Sequence, residues 1–500
     1  MIRAVGWIPP ISINTMSKRL PTTDVAPTEL IVLSDDWGRH PSSCQHLVRE
    51  LMAMHGEALS VTWVNTIGTR AMRWSAADFK RAAGKLRGYA KAVACDSLHP
   101  LPRRVRAGER IETVQRWKRS VHARGSTPDP HPGLPPERGK ERKDRVTGSR
   151  EPSPPRREGE PRIVSPVMWP GFRNRLQRWF NARSMAGSIR RAVGPRRNGV
   201  PRVVLTTLPI AADLPGRLGA DRWVYMAVDD FSVWPGLDGA VMDAMERRLV
   251  SRVDAAVAVS ETLRDRLAGM KREAEVLTHG IDAEHWRSRA AQTPVWLERI
   301  HGPVVLFWGL IDARLEVSWC VRLAKESGAT LVLVGPKDGE PSAALGQAGV
   351  VMPGPAAYAE LPAIAARADV LVMPYVDVPV TRAMQPLKLK EYLATGKPVV
   401  ARDLPATRAW ADACDLVAGE DDLLRAVQRR LGEVLPREQL AARQRLDRHT
   451  WRGKALRLRD VLLGESAANP DSAACDPYTR FPHARTAGPC VTRSSPSRAA

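Results

Sequence analysis

The feature that most constrains this chain is a rhythm that occurs twice: short apolar runs rich in β-branched residues, separated by stretches with helical spacing. The first series starts at Glu29-Leu-Ile-Val-Leu-Ser, ends its first run in Asp35-Asp36-Trp37-Gly38, and passes through a helical run from Ser42 to Leu59-Ser-Val-Thr-Trp-Val-Asn. It resumes at Arg162-Ile-Val-Ser, Val203-Val-Leu-Thr-Thr, Trp223-Val-Tyr-Met-Ala-Val and Ala255-Ala-Val-Ala-Val. The second comprises Val304-Val-Leu-Phe-Trp-Gly309, Ala329-Thr-Leu-Val-Leu-Val-Gly335, Val350-Val-Met, Val370-Leu-Val-Met-Pro374 and Pro398-Val-Val-Ala. Runs that are apolar at every position suit strands covered on both faces, and their alternation with helices marks a mostly parallel sheet. Two series predict two doubly wound α/β halves, which also suits 500 residues, more than one core usually supports. In such sheets ligands bind beyond the carboxyl ends of the strands, so the loops after Val228, Phe307, Val334 and Met373 and the cleft between the halves are where chemistry is expected.

The remaining composition narrows the class. The six cysteines lie far apart, with no Cys-x-x-Cys pair and no histidine set at zinc-finger spacing, so neither a disulfide framework nor a metal site is expected, and a reducing cytoplasm fits best. No apolar run approaches the roughly 18 residues of a membrane span, and no signal peptide or anchor is read. A net charge of +22 invites a nucleic-acid reading. Its distribution argues against one: residues 101–165 hold 17 lysines and arginines against 9 acidic residues in a segment dense in proline and glycine, which reads as a disordered basic insert. The stretch Phe172 to Arg183 sets Phe172, Leu176, Trp179 and Phe180 on one helical face with Arg173, Arg175, Arg178 and Arg183 around the other side. Such a basic amphipathic helix either packs its apolar side on the first half or lies on an anionic membrane surface.

Pro386 to Gly396 reads as a loop entering a helix that Gly396 caps and Pro398 closes. A helix start offers open backbone N–H groups and a positive dipole end, which suits a nucleotide diphosphate, and Lys388 and Lys390 add cations there. The alternative is a helix with an exposed Lys/Glu face. Asp229 and Asp230 end a strand facing the expected cleft, beside Thr206 and Thr207 on a neighbouring strand end. Either carboxylate could take a proton from an acceptor hydroxyl, or the pair could order its loop through Asx turns. Asp35 and Asp36 present the same choice. No Asp-x-Asp metal motif stands in an obvious strand-end loop.

One ordered series runs over residues 228–398: Val228-Asp229-Asp230-Phe231, Val253-Asp254 to Ser260-Glu261, His279-Gly280-Ile281-Asp282, Gly309-Leu-Ile-Asp-Ala-Arg314, Leu333-Val-Gly335-Pro336, Ala368-Asp369-Val370, and Pro386-Leu387-Lys388-Leu-Lys390-Glu391-Tyr392 to Pro398. In this order it resembles the retaining glycosyltransferases of family 4, of the teichuronic-acid and exopolysaccharide type, whose fold is known as GT-B. The resemblance implies two facing Rossmann-like domains with an interdomain cleft. The implied divisions are an N-terminal extension over 1–27, an acceptor domain over 28–295 interrupted by the basic insert at about 101–162, a donor domain over 296–440, terminal helices over 441–464 returning to the first domain, and a disordered tail over 465–500.

It also implies the site. Donor contacts are expected from Gly309, Arg314, Gly335, Pro336, Gln385, Pro386, Leu387, Lys388 and Glu391. Glu391 matches the carboxylate that binds the ribose hydroxyls, since a carboxylate can accept two bonds from a vicinal diol. Arg314 matches the basic residue on the donor phosphates, where it would balance charge on the leaving diphosphate; it could equally pair with Asp312 or Glu316. Gly335-Pro336 matches the turn that passes close to the nucleotide base. The second family glutamate, eight positions before Glu391, is replaced by Ala383, which leaves Thr381, Met384 or Gln385 as substitutes.

Asp229, Asp230 and Arg314 are the candidate catalytic groups. The implied activity is transfer of a hexose or related sugar from a nucleotide-sugar donor to a polysaccharide or lipid-linked acceptor, with retention, no enzyme nucleophile, no cofactor and no metal. A cytoplasmic enzyme, peripheral on the inner membrane face through residues 172–183, would suit that acceptor, and nucleic acid is not an expected partner. Two other classes stay open: a nucleotide-sugar epimerase, marked by epimer formation without acceptor, and an inactive GT-B-like binding protein, marked by absence of turnover.

Overall fold

The computed structural model of the chain describes residues 26–38, 42–65, 160–169, 171–288, 293–338 and 341–465. Apart from their edges, the N-terminal extension, the basic insert and the tail expected from the sequence lie outside the described residues. Two sheets form within one compact unit. The first contains β1 (Thr28–Ser34), β2 (Leu59–Asn65), β3 (Arg162–Val164), β4 (Arg202–Thr206), β5 (Arg222–Ala227), β6 (Ala255–Ala258) and β7 (Glu275–Val276), in the order β3-β2-β1-β4-β5-β6-β7. The second contains β8 (Val304–Trp308), β9 (Thr330–Val334), β10 (Val351–Gly354), β11 (Val370–Met373), β12 (Val399–Arg402) and β13 (Asp415–Val417), in the order β10-β9-β8-β11-β12-β13. Every pairing is parallel. The architecture is α/β with two Rossmann-like sheets, each over its own apolar core.

Strand order reverses between β1 and β4 in the first sheet and between β8 and β11 in the second. These switch points open crevices at the carboxyl ends of the central strands, because the loops leaving neighbouring strands there diverge to opposite faces. β1, β4 and β8 are buried at every position, which accounts for their largely apolar sequence, and the two charged exceptions, Glu29 and Arg202, pair with each other at 2.8 Å.

The helices that position the site begin where short polar side chains replace missing backbone partners. Helix α1 (Ser43–His55) starts at Ser42, whose Oγ accepts the Gln45 N–H at 3.3 Å, and α2 (Arg175–Val193) starts at Asn174, whose side chain accepts from Gln177 at 2.8 Å. Helix α3 (Gly239–Val250) is capped by Asp238 and α4 (Glu261–Gly269) by Ser260. In the second half, α5 (Pro379–Ala383) and α6 (Leu387–Ala394) lie between β11 and β12.

The chain crosses from the first sheet to the second after β7 and returns through residues 444–450 into α7 (Trp451–Leu463), which packs on α1, β4 and β5. Trp451, Leu458 and Leu462 are buried with the first core, and each fully buried side chain of this size is worth about 1.5–3 kcal/mol. The two crossings touch: the Ile281 N–H donates to the His449 carbonyl at 2.7 Å. A Cβ on Gly280 would stand 2.7 Å from Trp451 Cα, so the close approach requires glycine there.

One expectation is corrected. Phe172 precedes α2 and is buried, while Leu176, Trp179 and Phe180 on the helix are exposed. The helix instead buries Asn181, Ala182, Met185, Ala186 and Ile189, so its aromatic face points away from the domain. No described helix is long and apolar enough to cross a membrane.

Candidate functional site

At the carboxyl ends of β8 and β9 three loops nest so closely that side chains are excluded. A Cβ on Gly335 would meet the Gly309 carbonyl oxygen at 1.8 Å, and one on Gly309 would meet Lys388 Cε at 2.1 Å. Both glycines have positive φ, +154° and +147°, which side-chain-bearing residues rarely adopt. The Lys388 ammonium is thereby set against bare backbone, 3.4 Å from the Tyr375 hydroxyl at the end of β11. It occupies the first turn of α6, where the N-cap residue, Pro386, supplies no side-chain cap. A cation, a helix start and glycine backbone on one spot form a place where phosphate oxygens can approach closely.

Arg314 lies in the next loop out. Its Nε donates to both Asp312 oxygens at 3.1 and 3.0 Å, and its carbonyl accepts the Val376 N–H at 2.9 Å, which zips this loop to the one after β11. The pairing with Asp312 is the alternative raised from the sequence, but it is enclosed rather than at the surface, with 15% of the arginine side chain and 16% of the aspartate side chain exposed. Burial opposes the guanidinium charge, but the bonds to Asp312 together with attraction to Tyr375, Asp312 and Asp229 outweigh it, so the group is held above its ordinary range. From the first half, the Trp234 ring lies under the guanidinium at 5.3 Å, a cation–π arrangement. Asp229 is near enough to the same guanidinium to feel its charge. Enclosure pushes the Asp229 carboxyl up to about 7, attraction to Arg314 works the other way, and repulsion from Asp230 adds to the rise.

Lys388 and Glu391, three residues apart on α6, share one helix face. Glu391 is buried and its Oε2 accepts the Trp308 indole N–H at 3.2 Å. Burial raises its pKa to about 7, opposed by that hydrogen bond and by Lys388. Trp308 is held by α6, its backbone N–H donating to the Tyr392 hydroxyl at 2.9 Å, and its ring stacks on Trp286 at 5.2 Å. Tyr358 stands edge-on to Trp286 at 5.6 Å and stacks on His285 at 4.3 Å. The carboxyl group therefore sits in an aromatic surround that can cover a ribose and a flat base.

Several candidates turn elsewhere. Lys390 is about 200° around the helix from Lys388 and is fully buried at the crossings, donating to the His279 carbonyl and lying 3.3 Å from both Thr278 Oγ1 and His449 Nδ1. Burial and the Lys390 charge hold His279 down at about 3 and His449 at about 2, so both rings stay neutral. Asp230 is engaged away from Arg314: it accepts the Ser232 N–H at 3.0 Å in an Asx turn and lies 3.4 Å from Arg266. Thr381 closes the start of α5, accepting from the Val378 N–H and donating to the Val378 carbonyl, and Met384 is buried in the second core. Ala383 packs on the first core with its carbonyl accepting from Ser260 Oγ at 2.7 Å. Gln385 is half-buried beside His279, Pro386 and Leu387 form the start of α6, and Pro336 is exposed.

On the first sheet, Thr207 bonds Ser34 at 2.8 Å and Thr206 bonds the Leu208 backbone. Asp35 accepts from Ser34, Ser42 and Gln45, ordering the turn into α1. Asp36 accepts a bond from Gln45 through its carbonyl.

The two lysines therefore have separable consequences. Lys390→Met leaves the crossing carbonyl without its donor and is expected to lower stability by about 1–3 kcal/mol. Lys388→Met is expected to stay within about 0.5 kcal/mol of the native protein while weakening nucleotide binding. Urea midpoints and titration calorimetry on both variants check this; equal loss of stability would remove the distinction.

Trp234, Trp286, Trp308 and Tyr358 were not singled out from the sequence. Tryptophan within a strand run, or in the Val233-Trp234-Pro235-Gly236 turn, carries no spacing signal. Trp234 is presented by tertiary means, since the Asp230 turn and the tight seat of Gly239 on the Ser232 carbonyl, 2.1 Å from where a Cβ would lie, set its loop.

Residues 302–433 match the family model described as glycosyl transferases group 1. Over 177 residues the chain is 30% identical to TuaH of Bacillus subtilis (strain 168), named for a glycosyltransferase role in teichuronic acid biosynthesis. That match covers 33% of this chain and 45% of TuaH, so the chain spans about half the length of this relative. Among solved structures, sucrose-phosphate synthase from Thermosynechococcus elongatus superposes with a TM-score of 0.55 at 14% identity, covering 87% of this chain and 98% of that one. HepE of Anabaena, solved in complex with UDP and glucose, superposes with a TM-score of 0.53 at 10% identity over 87% of this chain and all of its own. The fold is GT-B, and residues 302–433 are similar to the group 1 glycosyltransferase domain.

Proposed function

We propose that the chain is a glycosyltransferase that moves a hexose from a nucleotide-sugar donor to a polysaccharide or lipid-linked acceptor, with retention and without a metal ion or cofactor. The observation that carries this reading is Lys388 set on the bare backbone of Gly309 beside Gly335, with Glu391 one turn further along α6 and Arg314 in the loop tied to the one after β11. Two cations and the α6 start can neutralise a diphosphate without a divalent ion, and Glu391 lies one helical turn away, where a ribose would follow. That HepE was solved with UDP-glucose on the same fold, and that TuaH is named for teichuronic acid biosynthesis, support the donor and acceptor classes.

In the Mechanism this implies, Lys388 and Arg314 hold the donor phosphates and take up the charge that develops as the glycosidic bond breaks. Acceptor attack on the same face as the departing phosphate needs no enzyme nucleophile. Asp229, on the first half and near enough to Arg314 to feel its charge, is the acceptor-side polar group, and a value of about 7 suits a group that accepts a proton near neutrality. With Ala383 turned into the domain contact, the sugar hydroxyls must find other partners, Gln385 among them.

Titration calorimetry with UDP-, GDP- and dTDP-sugars tests the reading. Saturable binding of one nucleotide, weakened at least tenfold by Glu391→Ala, is expected. Only the ionised carboxylate accepts from both ribose hydroxyls, so affinity should rise with pH through about 7, and Glu391→Gln should flatten that rise. No binding across the panel would shift the reading to a GT-B-like binding protein without turnover.

A further inference from the structure

The exposed face of α2 is unlike the rest of the first domain. Its buried side is built from Asn181, Ala182, Met185, Ala186 and Ile189. The opposite side carries Leu176, Trp179 and Phe180, exposed by 78, 55 and 44%. At about 100° per residue these three and Arg183 fall within one third of the helix circumference, facing away from the sheet. The strand-to-helix loop adds Trp169, 54% exposed, and this loop is pinned rather than loose. The Asn181 side chain accepts the Trp169 N–H at 2.6 Å and donates to the Trp169 and Gly171 carbonyls at 3.1 and 3.0 Å, and Ser184 donates to the Val167 carbonyl at 2.6 Å. Large aromatic groups on an ordered backbone, directed at solvent, are costly unless they have an occupant.

Charge identifies that occupant. Helix α2 contains Arg175, Arg178, Arg183, Arg190 and Arg191 and not one acidic residue. Arg178 is drawn towards Asp213, but Arg175, Arg183, Arg190 and Arg191 are exposed, and the Arg183 guanidinium lies over the Trp179 ring at 5.9 Å. Arg173 flanks the helix start. An apolar strip of tryptophan, phenylalanine and leucine rimmed by arginines matches the headgroup region of an acidic bilayer: the rings enter the boundary of the acyl chains while guanidinium groups meet lipid phosphates.

We propose that this face, formed by Trp169, Leu176, Trp179 and Phe180 with Arg175 and Arg183, docks the protein on the surface of an anionic lipid bilayer. The helix lies along the membrane plane and does not enter as a span. None of the side chains of this face takes part in the contacts that hold Lys388, Glu391 and Arg314, so docking can be tested apart from donor chemistry, and the inference goes beyond the transfer reading without resting on it.

Sedimentation of the full chain with vesicles tests it, using equal parts phosphatidylglycerol and phosphatidylcholine, and phosphatidylcholine alone. Binding to the acidic vesicles, at least tenfold weaker on the neutral ones and weakened by salt, is expected. The double variant W179S/F180S and the double variant R175E/R183E should each reduce binding at least tenfold. Both alter exposed side chains, so their circular dichroism and urea midpoints should match the native protein. Three results would overturn the proposal: no binding by the native chain, binding untouched by both variants, or a dimer in light scattering that W179S/F180S abolishes, which would assign the face to a second copy. Nucleotide calorimetry on the same variants should be unchanged, which keeps failure of docking separate from failure of the donor site.

Discussion

Arg314→Ala is expected to lower kcat/KM for sugar transfer by about 10²–10³-fold, carried mostly by kcat, the range found when one preorganised charge-stabilising donor is removed from an active site. Three features give the side chain this weight. It is enclosed, so water screens it little. It is held in place before any ligand arrives, by two contacts to Asp312 and by the Trp234 ring. Its loop is zipped to the loop after β11, so little reorganisation accompanies charge build-up on the leaving diphosphate. Arg314→Lys should recover only a small part of the loss, because an ammonium cannot fork across two oxygens or stack on indole as a guanidinium does. Asp312→Ala, which frees the arginine without removing it, should cost less than Arg314→Ala. The measurement is initial-rate kinetics with the donor that calorimetry identifies; rates within twofold of the native enzyme would take Arg314 out of the phosphate site.

The largest structural effect is expected from Gly335→Ala, a loss of about 3–5 kcal/mol from backbone strain combined with overpacking. The added methyl would lie 1.8 Å from the Gly309 carbonyl, a backbone atom that cannot swing aside, at a φ of +154°. Relief would require the ends of β8 and β9 to separate, which would also draw Gly309 from Lys388. The urea midpoint should therefore fall steeply and nucleotide binding should be lost with it. At Gly396, φ +76° with nothing within 4 Å, alanine meets conformational cost without collision and should destabilise by about 1 kcal/mol. Equal effects at the two glycines would show that the nesting of the loops is not what makes Gly335 necessary.

How much was legible varies by element. The long buried strands were, because burial on both faces leaves few polar positions, near the strand ends, to blur the pattern. Two edge strands, β7 with two residues and β13 with three, were not, although β3, as short as β13, was. Helix α6 was legible at both ends from its proline and glycine, yet the roles of its lysines were not. Lys388 and Lys390 are equivalent as composition; the helical turn sends one to the glycine backbone and the other to the crossings, and only the position of residues 278–279 and 449 shows what awaits the second. The same holds for Asp229 and Asp230, adjacent in sequence and divided by which way the chain turns at Ser232. Helix α2 has apolar residues on two faces, and of the two readings its sequence allowed, packing of the aromatic side on the first half is the one the structure does not show.

By itself, then, the sequence determined the two parallel sheets, the order of their strand-end loops and the glycine and helix-start positions within them, since these follow from local periodicity and backbone sterics. The tertiary structure alone decided that Arg314 lies between Asp312, Trp234 and Asp229, that Glu391 is shut in by Trp308, that Lys390 ties the two crossings and that the aromatic face of α2 is uncovered. Apart from the Asp312 pairing, each of these depends on the approach of elements far apart in the chain, which is set by the packing of whole elements and leaves no trace in local spacing.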